Sequence, residues 1–264
     1  MYKISHIGYL PGYSGNPNYE FSRYFPKKIS VSFDTVNHNP TADYNVLIQC
    51  EPPELYQAFA GMVKENWEKF DLILSYDPRI LALPNAVEFC PVASWISQDI
   101  VLDKTDQISY LMSSKVYTYA HRMRFMILRL LENQKSIGKF DFFMYRSPPR
   151  IPVKDPYFAQ AKFNIACEND IIPNMYTEKL LDCFVTRTVP IYFGCTNLEK
   201  YFDVRGVLRF NTIDELKNIL NTIQPDDYDR MQPYIEENYQ RAMPFWKNSI
   251  HQRIENVIAQ HLTL

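Results

Sequence analysis

Between Phe163 and Gly194 the chain reads FNIACENDIIPNMYTEKLLDCFVTRTVPIYFG, and no other segment constrains the fold as tightly. Phe163 to Cys167 is a short apolar run. A polar loop with Glu168, Asn169, Asp170 and Pro173 follows it. Thr177, Glu178 and Lys179 open a helix, and Val189 to Phe193 is a second apolar run that stops at Gly194. Strand, loop, helix and strand form the repeating unit of a parallel sheet. The polar loop then lies at the carboxyl end of the first strand, where open α/β sheets bind ligands. The helix start offers unpaired N–H groups and the positive end of a dipole. Lys179 falls in that first turn, where a cation is disfavoured. A bound anion such as phosphate removes the conflict. A lysine that points into water removes it equally well.

The same residues carry a resemblance. Glu168-Asn169, then Tyr176-Thr177-Glu178-Lys179, then Val189-Pro190-Ile191-Tyr192 and Gly194 resemble the donor-binding signature of family 10 glycosyltransferases, the α-1,3/α-1,4-fucosyltransferases. Those enzymes show E-N-S, Y-x-T-E-K and V/I-P-I/V-x-x-G. The ten-residue spacing from Glu168 to Glu178 is similar to that of bacterial members. Two positions depart from the pattern. Asp170 stands where the family has Ser, and Tyr176 directly precedes Thr177, whereas the family Tyr falls at the place of Met175.

Length and composition bound the remainder. At 264 residues, 46% of them hydrophobic, the chain suits one large or two small α/β domains with a real core. A net charge of −2 argues against a nucleic-acid-binding surface. Glycine is scarce, at 7 residues. Gly8, Gly12 and Gly15 cluster after a candidate strand, but neither G-x-G-x-x-G nor G-x-x-x-x-G-K occurs, which speaks against dehydrogenase and P-loop readings. The five cysteines form no C-x-x-C pair, and most lie in apolar runs. An odd count without a signal peptide indicates reduced thiols and a cytoplasmic setting. The amino terminus lacks a long apolar region, and no stretch approaches the roughly 18 apolar residues of a membrane helix. No stable membrane insertion is therefore expected. Eukaryotic Golgi members of the resembled family carry an anchor, so a bacterial, viral or truncated protein is expected.

The amino-terminal half reads as its own α/β unit. Candidate strands are Ile4–Tyr9, Lys28–Phe33, Tyr44–Gln49 and Asp71–Ser75, with another at Val87–Glu88–Phe89. Pro52-Pro53 stops the third strand. A helix is predicted from about Glu54 to Lys69, with Leu55, Phe59, Met62 and Val63 at helical spacing. The polar stretch Ser97–Gln107 marks a boundary, which gives residues 1–100 as one domain and 101–245 as a second, followed by a C-terminal helix in 246–264. In the second domain a strand at Ile108–Met112 leads through Ser113-Ser114-Lys115 to a helix at Tyr119–Asn133. A strand at Phe140–Tyr145 and the Pro-rich loop Ser147–Pro156 precede the signature. A short helix at Leu198–Phe202, a strand at Val207–Phe210 and helices at about 212–222, 227–243 and 248–262 follow it. The alternation indicates α/β structure with mostly parallel sheets.

The resemblance implies the GT-B type, two Rossmann-like domains facing across a cleft. It also implies an inverting transferase that moves fucose or a related sugar from a GDP-sugar to a hydroxyl of an oligosaccharide or glycan. GDP-fucose is then the donor substrate, with no cofactor required. Departing diphosphate needs positive charge, and the acceptor hydroxyl needs a base. A helix Arg contacts the diphosphate in family relatives, and Arg124 fits that place. Arg122, two residues away, cannot share its helix face. Lys179 and Lys115 are further cations, and Asn169, Glu178 and Tyr176 are the remaining donor contacts that the resemblance implies. Glu168 is open to a second role, as a buried carboxylate bracing the loop. Glu51 follows a buried strand and is the expected base, with Glu54 as its local rival. No metal cluster is visible. Asp227-Tyr228-Asp229 matches the D-x-D triplet of metal-dependent enzymes, but acidic residues after Pro225 also cap a helix, which is the stronger reading. His6 and His121 receive no role. The alternative function is a nucleotide- or carbohydrate-binding protein that kept the fold and lost catalysis.

Overall fold

The computed structural model describes residues 5–7, 25–147 and 153–263. Gly8, Gly12 and Gly15, the outer residues of the strand expected at 4–9 and much of the loop expected at 147–156 lie outside them. The chain divides into two compact units. One comprises Met1–Pro91, Pro173–Met175 and Asn248–Leu264; the other comprises Val92–Ile172 and Tyr176–Lys247.

The first unit is a parallel sheet in unbroken chain order: β1 (Ser5–Ile7), β2 (Ile29–Phe33), β3 (Tyr44–Ile48), β4 (Leu72–Ser75) and β5 (Ala86–Glu88). Every residue of β2 and β4 is buried, as expected for parallel strands covered on both faces. Helix α1 (Phe59–Asn66) buries Phe59, Ala60 and Val63 against Leu47, Ile73 and Ile80. It is shorter than the helix expected from Glu54, because the residues after Pro52-Pro53 form turns first. The short helix α2 (Pro78–Leu81) is N-capped by Asp77, whose carboxylate accepts the Arg79 N–H at 2.9 Å. The C-terminal helix, Ile250–His261, is not a separate segment. Arg253 donates to the Cys90 carbonyl at 3.2 Å and lies over the Phe89 ring, which joins this helix to the first unit. Asn174, at φ 63°, brings the excursion 173–175 to the same unit by donating to the Tyr76 carbonyl at 3.1 Å.

The second unit holds β6 (Thr105–Ser113), α3 (Tyr119–Leu131), β7 (Ser136–Ile137), β8 (Phe140–Ser147), α4 (Asp155–Ala159), β9 (Ala161–Cys167), α5 (Glu178–Val185), β10 (Val189–Phe193), β11 (Leu208–Arg209), α6 (Ile213–Thr222), α7 (Pro225–Arg230) and α8 (Gln232–Lys247). Its strand order is β11-β10-β9-β6-β8-β7, and all pairs are parallel except the β7–β8 hairpin. From β6 the chain builds one way through β8 and the other way through β9, β10 and β11. The order therefore reverses at β6 and β9, the topological switch point where such sheets bind ligands.

The boundary at Pro91/Val92 differs from the expected residue 100. Residues 92–100 are tied to the second unit by hydrogen bonds: Trp95 N–H to the Asp182 carboxylate at 2.8 Å, and Trp246 Nε1–H to the Ile96 carbonyl at 2.8 Å. The polar stretch from Ser97 suggested the boundary, but the residues just before it are already bonded into the second unit. The helix expected at 227–243 is broken into α7 and α8. Pro233 has no N–H to donate and its ring opposes the carbonyl of Asp229. Asp227 takes part in the capping box of α7, its carboxylate accepting the Gln224 N–H at 2.7 Å. The D-x-D triplet is thus a helix-start feature. Among the described residues no group of three His, Cys, Asp or Glu side chains is arranged to hold a metal ion, and no helix is long and apolar enough to cross a membrane.

Phe163 sits at the centre of β9, fully buried, edge-on to both Phe140 and Tyr228. Phe163→Ala removes these contacts and leaves a cavity. It should lower stability by about 3–5 kcal/mol, measured by urea unfolding.

Candidate functional site

The second sheet's switch point places two chain segments together. One is the turn from β6 into α3, with Lys115, Thr118 and His121. The other is the loop from β9 into α5, with Glu168, Asn169, Thr177, Glu178 and Lys179. The helix α3 is amphipathic, and its buried face includes His121, Arg124, Ile127, Leu128 and Leu131. Arg124 is therefore buried, whereas Arg122 is exposed, as the helical period requires.

Arg124 ties α3 to the end of β9. Its Nε and Nη2 donate to the Cys167 carbonyl at 3.1 and 2.6 Å, and Nη2 also donates to Asn169 Oδ1 at 2.6 Å. Nη1 takes no part in these bonds. The guanidinium thus holds the first loop residues while keeping a fixed positive charge at the strand end.

Glu168 braces the loop. Its carboxylate is fully buried and accepts Thr177 N–H at 2.8 Å, Thr177 Oγ1–H at 2.5 Å and Tyr192 O–H at 3.3 Å. Burial pushes its carboxyl above the usual range, while Lys179 pulls the other way. Thr177 is also the N-cap of α5. One carboxylate therefore fixes the start of the helix that carries Glu178 and Lys179. This is the bracing role that the sequence leaves open for Glu168.

Lys179 neither points into water nor stands unpaired. Its Nζ donates to Glu178 at 2.8 Å and Thr177 Oγ1 at 3.1 Å, and lies 3.9 Å from Glu168. Neighbouring carboxylates offset the unfavourable dipole position. Glu178 is held between two lysines, with Lys154 Nζ at 3.8 Å on its other side. Burial opposes its charge, but Lys179 and Lys154 outweigh burial and hold its carboxyl at about 2. Lys154 is buried, bonds Asp182 at 2.7 Å and lies over the Trp95 ring. Asp182 in turn accepts Ser94 Oγ–H and Trp95 N–H, both at 2.8 Å. Burial works against the Lys154 charge, and Asp182 and Glu178 raise its pKa above the ordinary lysine value. Sequence reasoning missed Lys154 and Asp182. Asp182 lies one turn after Glu178, which is a spacing signal, but Lys154 sat in a loop without a pattern.

His121 also belongs to this cluster. Its Nδ1 accepts the Thr118 N–H at 3.1 Å, while Thr118 Oγ1 accepts the His121 N–H at 3.0 Å, a reciprocal cap. Its Nε2 is buried without a hydrogen-bond partner. Burial, then the charges of Arg124, Lys115 and Lys179, lower its pKa to about 4, so the ring is neutral at pH 7. Lys115 is exposed and acts here only through its charge. Tyr176 is buried and its ring packs against Tyr201, Phe202 and Phe245. That ring belongs to the aromatic core of the second unit.

Glu51 and Glu54 lie in the first unit, just past β3. Both are partly exposed. The Glu51 backbone N–H donates to both oxygens of Asp34 at 3.1 Å. Asp34 was not among the expected site residues, although it directly follows β2, and Glu51 lies three residues past β3.

The family model described as Glycosyltransferase family 10 (fucosyltransferase) C-term matches residues 102–256, more than half of the chain. The alpha-(1,3)-fucosyltransferase FucT of Helicobacter pylori is 32% identical over 65 residues, 25% of this chain and 13% of that protein. The match therefore spans a small share of that relative's length. A solved alpha1,3-fucosyltransferase with GDP-fucose is similar over 89% of this chain and 78% of its own, with a TM-score of 0.53 and 15% identity. Another with GDP covers 89% and 82%, with a TM-score of 0.50 and 16% identity. At such identities the likeness concerns the fold, and with the two parallel-sheet units it makes the fold GT-B type.

Two outcomes follow from the loop geometry. A Cβ at Gly194 would collide with the Glu168 side chain and approach the Tyr192 hydroxyl oxygen to 2.6 Å. Gly194→Ala should cost about 1–3 kcal/mol in thermal unfolding and loosen the loop as well. The second concerns acid. Glu178 has a folded pKa below its ordinary value, so its stabilisation is complete above pH 4.5 and is lost as pH falls through about 2. The melting-temperature gap between wild type and Glu178→Gln should be constant above pH 5 and shrink across that interval.

Proposed function

The chain belongs to glycosyltransferase family 10, and from this premise we propose that it transfers fucose from GDP-fucose to a hydroxyl of a glycan acceptor, with inversion at the sugar carbon. The observation that carries the reading is the cluster at the second sheet's switch point. Arg124, Lys179 and Lys115 set positive charge beside the carboxyl ends of β6 and β9, where a nucleotide diphosphate binds in sheets of this topology. Asn169 is held by Arg124, and Glu178 stays ionised, which suits it to accept hydrogen bonds from ribose or sugar hydroxyls.

In the proposed reaction the acceptor oxygen attacks the sugar carbon, and the bond from that carbon to the diphosphate breaks. Glu51 takes the proton of the acceptor hydroxyl. Negative charge grows on the departing diphosphate, and fixed cations stabilise it. Arg124 is well suited because its guanidinium is anchored before the reaction and need not reorganise. Lys179 is already bonded to Glu178, so it shares its ammonium between that carboxylate and the incoming phosphate. His121 stays neutral and adds no competing proton equilibrium near pH 7.

GDP and GDP-fucose should raise the melting temperature of the protein, and UDP-glucose should not, since a ligand that binds only the folded state stabilises it. Lys179→Ala should weaken that shift. A preference for UDP- or CDP-sugars would overturn the guanine assignment. Glu51→Gln keeps the side-chain shape and removes the proton acceptor. It should leave the GDP shift intact while reducing transfer by about 10²- to 10⁴-fold. Binding of GDP by the wild type without turnover on any acceptor would instead mark a nucleotide-binding protein.

A further inference from the structure

The carboxyl edge of the first unit's sheet holds Glu51 more firmly than a loop residue requires. Strands β2 and β3 pair in parallel, with Phe33 beside Ile48. Asp34 follows at once, and its N–H donates to the Ile48 carbonyl at 3.0 Å. Its side chain then reaches over the neighbouring strand end. Oδ1 accepts the Cys50 N–H at 2.7 Å and the Glu51 N–H at 3.1 Å, and Oδ2 accepts the same Glu51 N–H at 3.1 Å.

The opposite side of the segment is held from β4. Gln49 N–H donates to the Leu74 carbonyl at 2.9 Å, and Gln49 Oε1 accepts Ser75 Oγ–H at 2.6 Å. Tyr76 O–H donates to the Cys50 carbonyl at 3.1 Å. Residues 49, 50 and 51 are thus clamped between two strand ends. The clamp comes with backbone strain. Asp34 adopts φ 51°, a left-handed conformation that costs a residue with a Cβ and that persists where surrounding bonds impose it.

We infer that Asp34 is the positioning residue for Glu51: its carboxylate fixes the Glu51 backbone and so aims the base at the acceptor hydroxyl. The inference rests on Glu51 being the base. Oδ1 serves both N–H groups and Oδ2 adds a second acceptor for the Glu51 N–H, an arrangement in which a carboxylate sets an acceptor, and an amide a donor, at the second position. Burial pushes the Asp34 carboxyl up to about 6, the Cys50 and Glu51 N–H bonds favour its charged form, and the Glu51 charge adds to the rise.

The test compares Asp34→Asn, Glu51→Gln and the double variant in GDP-fucose transfer to a glycan acceptor. Asn tolerates the left-handed φ, but its Nδ2 would oppose the Glu51 N–H, donor against donor. Asp34→Asn should lower kcat about 10- to 100-fold, as displacement of a reacting group does, with GDP affinity unchanged within about twofold. In the Glu51→Gln background the same change should have almost no further effect, because residues that act as a unit are not additive. Full activity of folded Asp34→Asn overturns the inference. So does a loss that multiplies undiminished on top of Glu51→Gln, which would mark a general structural defect. Full activity of Glu51→Gln alone instead overturns the assignment of the base. If Asp34→Asn does not fold, Tyr76→Phe decides. It releases the Cys50 carbonyl from the other side and should lower kcat several-fold at unchanged GDP affinity, and unchanged kcat overturns the clamp.

Discussion

A single buried carboxylate organises the switch-point loop. Glu168 has no exposed surface, and an ionised group in such a place is costly unless its lone pairs are filled. They are filled by Thr177 N–H and Oγ1–H and by Tyr192 O–H. The bonds reach two further parts of the unit. Thr177 is the N-cap of α5, Tyr192 is on β10, and the Glu168 N–H donates to the Phe193 carbonyl at 2.9 Å. The loop from β9 therefore cannot drift from the helix it feeds. Gly194 lacks a side chain because Glu168 and Tyr192 occupy that space. The motif residues Glu168, Thr177 and Gly194 thus answer to one packing problem, and the placement of Asn169, Glu178 and Lys179 follows from its solution.

Charge is balanced in layers around that brace. Lys154 and Asp182 form a buried pair, Glu178 stands between Lys154 and Lys179, and Lys179 reaches back toward Glu168. Alternation of sign lets each ion be buried beside a counter-ion, and it keeps Glu178 ionised. Arg124 stands apart from this chain of pairs. Its described partners are a carbonyl and an amide, neither of which neutralises it. Arg124 thus keeps a fixed charge without a counter-ion in its described bonds, while its guanidinium is held by three of them.

The strand–loop–helix–strand core was readable because its signals are local. Apolar runs of strand length, a capping Thr and a terminal Gly all act within a few residues. The alternation in the amino-terminal half likewise predicted β2, β3 and β4 and the helix α1. Failures arose where one local signal masked another. The polar stretch Ser97–Gln107 looks like a linker, yet Trp95 and Ile96 before it are already bonded into the second unit. The run 227–243 is helical in composition, yet Pro233 divides it. Neither an anion nor water was needed to settle Lys179 in the first turn, because Glu178, beside it in the chain, supplies a counter-charge.

Side-chain pairings across long stretches of chain were illegible for a different reason. Nothing in the spacing of Lys154 and Asp182, or of Arg124 and Cys167, says that they meet. Register between parallel strands decides that, and register is a tertiary property. Asp34 is the instructive case, because the signal for it was present. Glu51 was picked as an ionisable residue just past a buried strand, at the carboxyl end where ligands bind. Asp34 follows β2 in the same way, and β2 is buried throughout. Parallel strands that pair in register bring their carboxyl ends to one edge, so residues that follow neighbouring strands become neighbours too. An ionisable residue after one strand is then best sought together with its counterpart after the next, since each sets the geometry and the charge in which the other works.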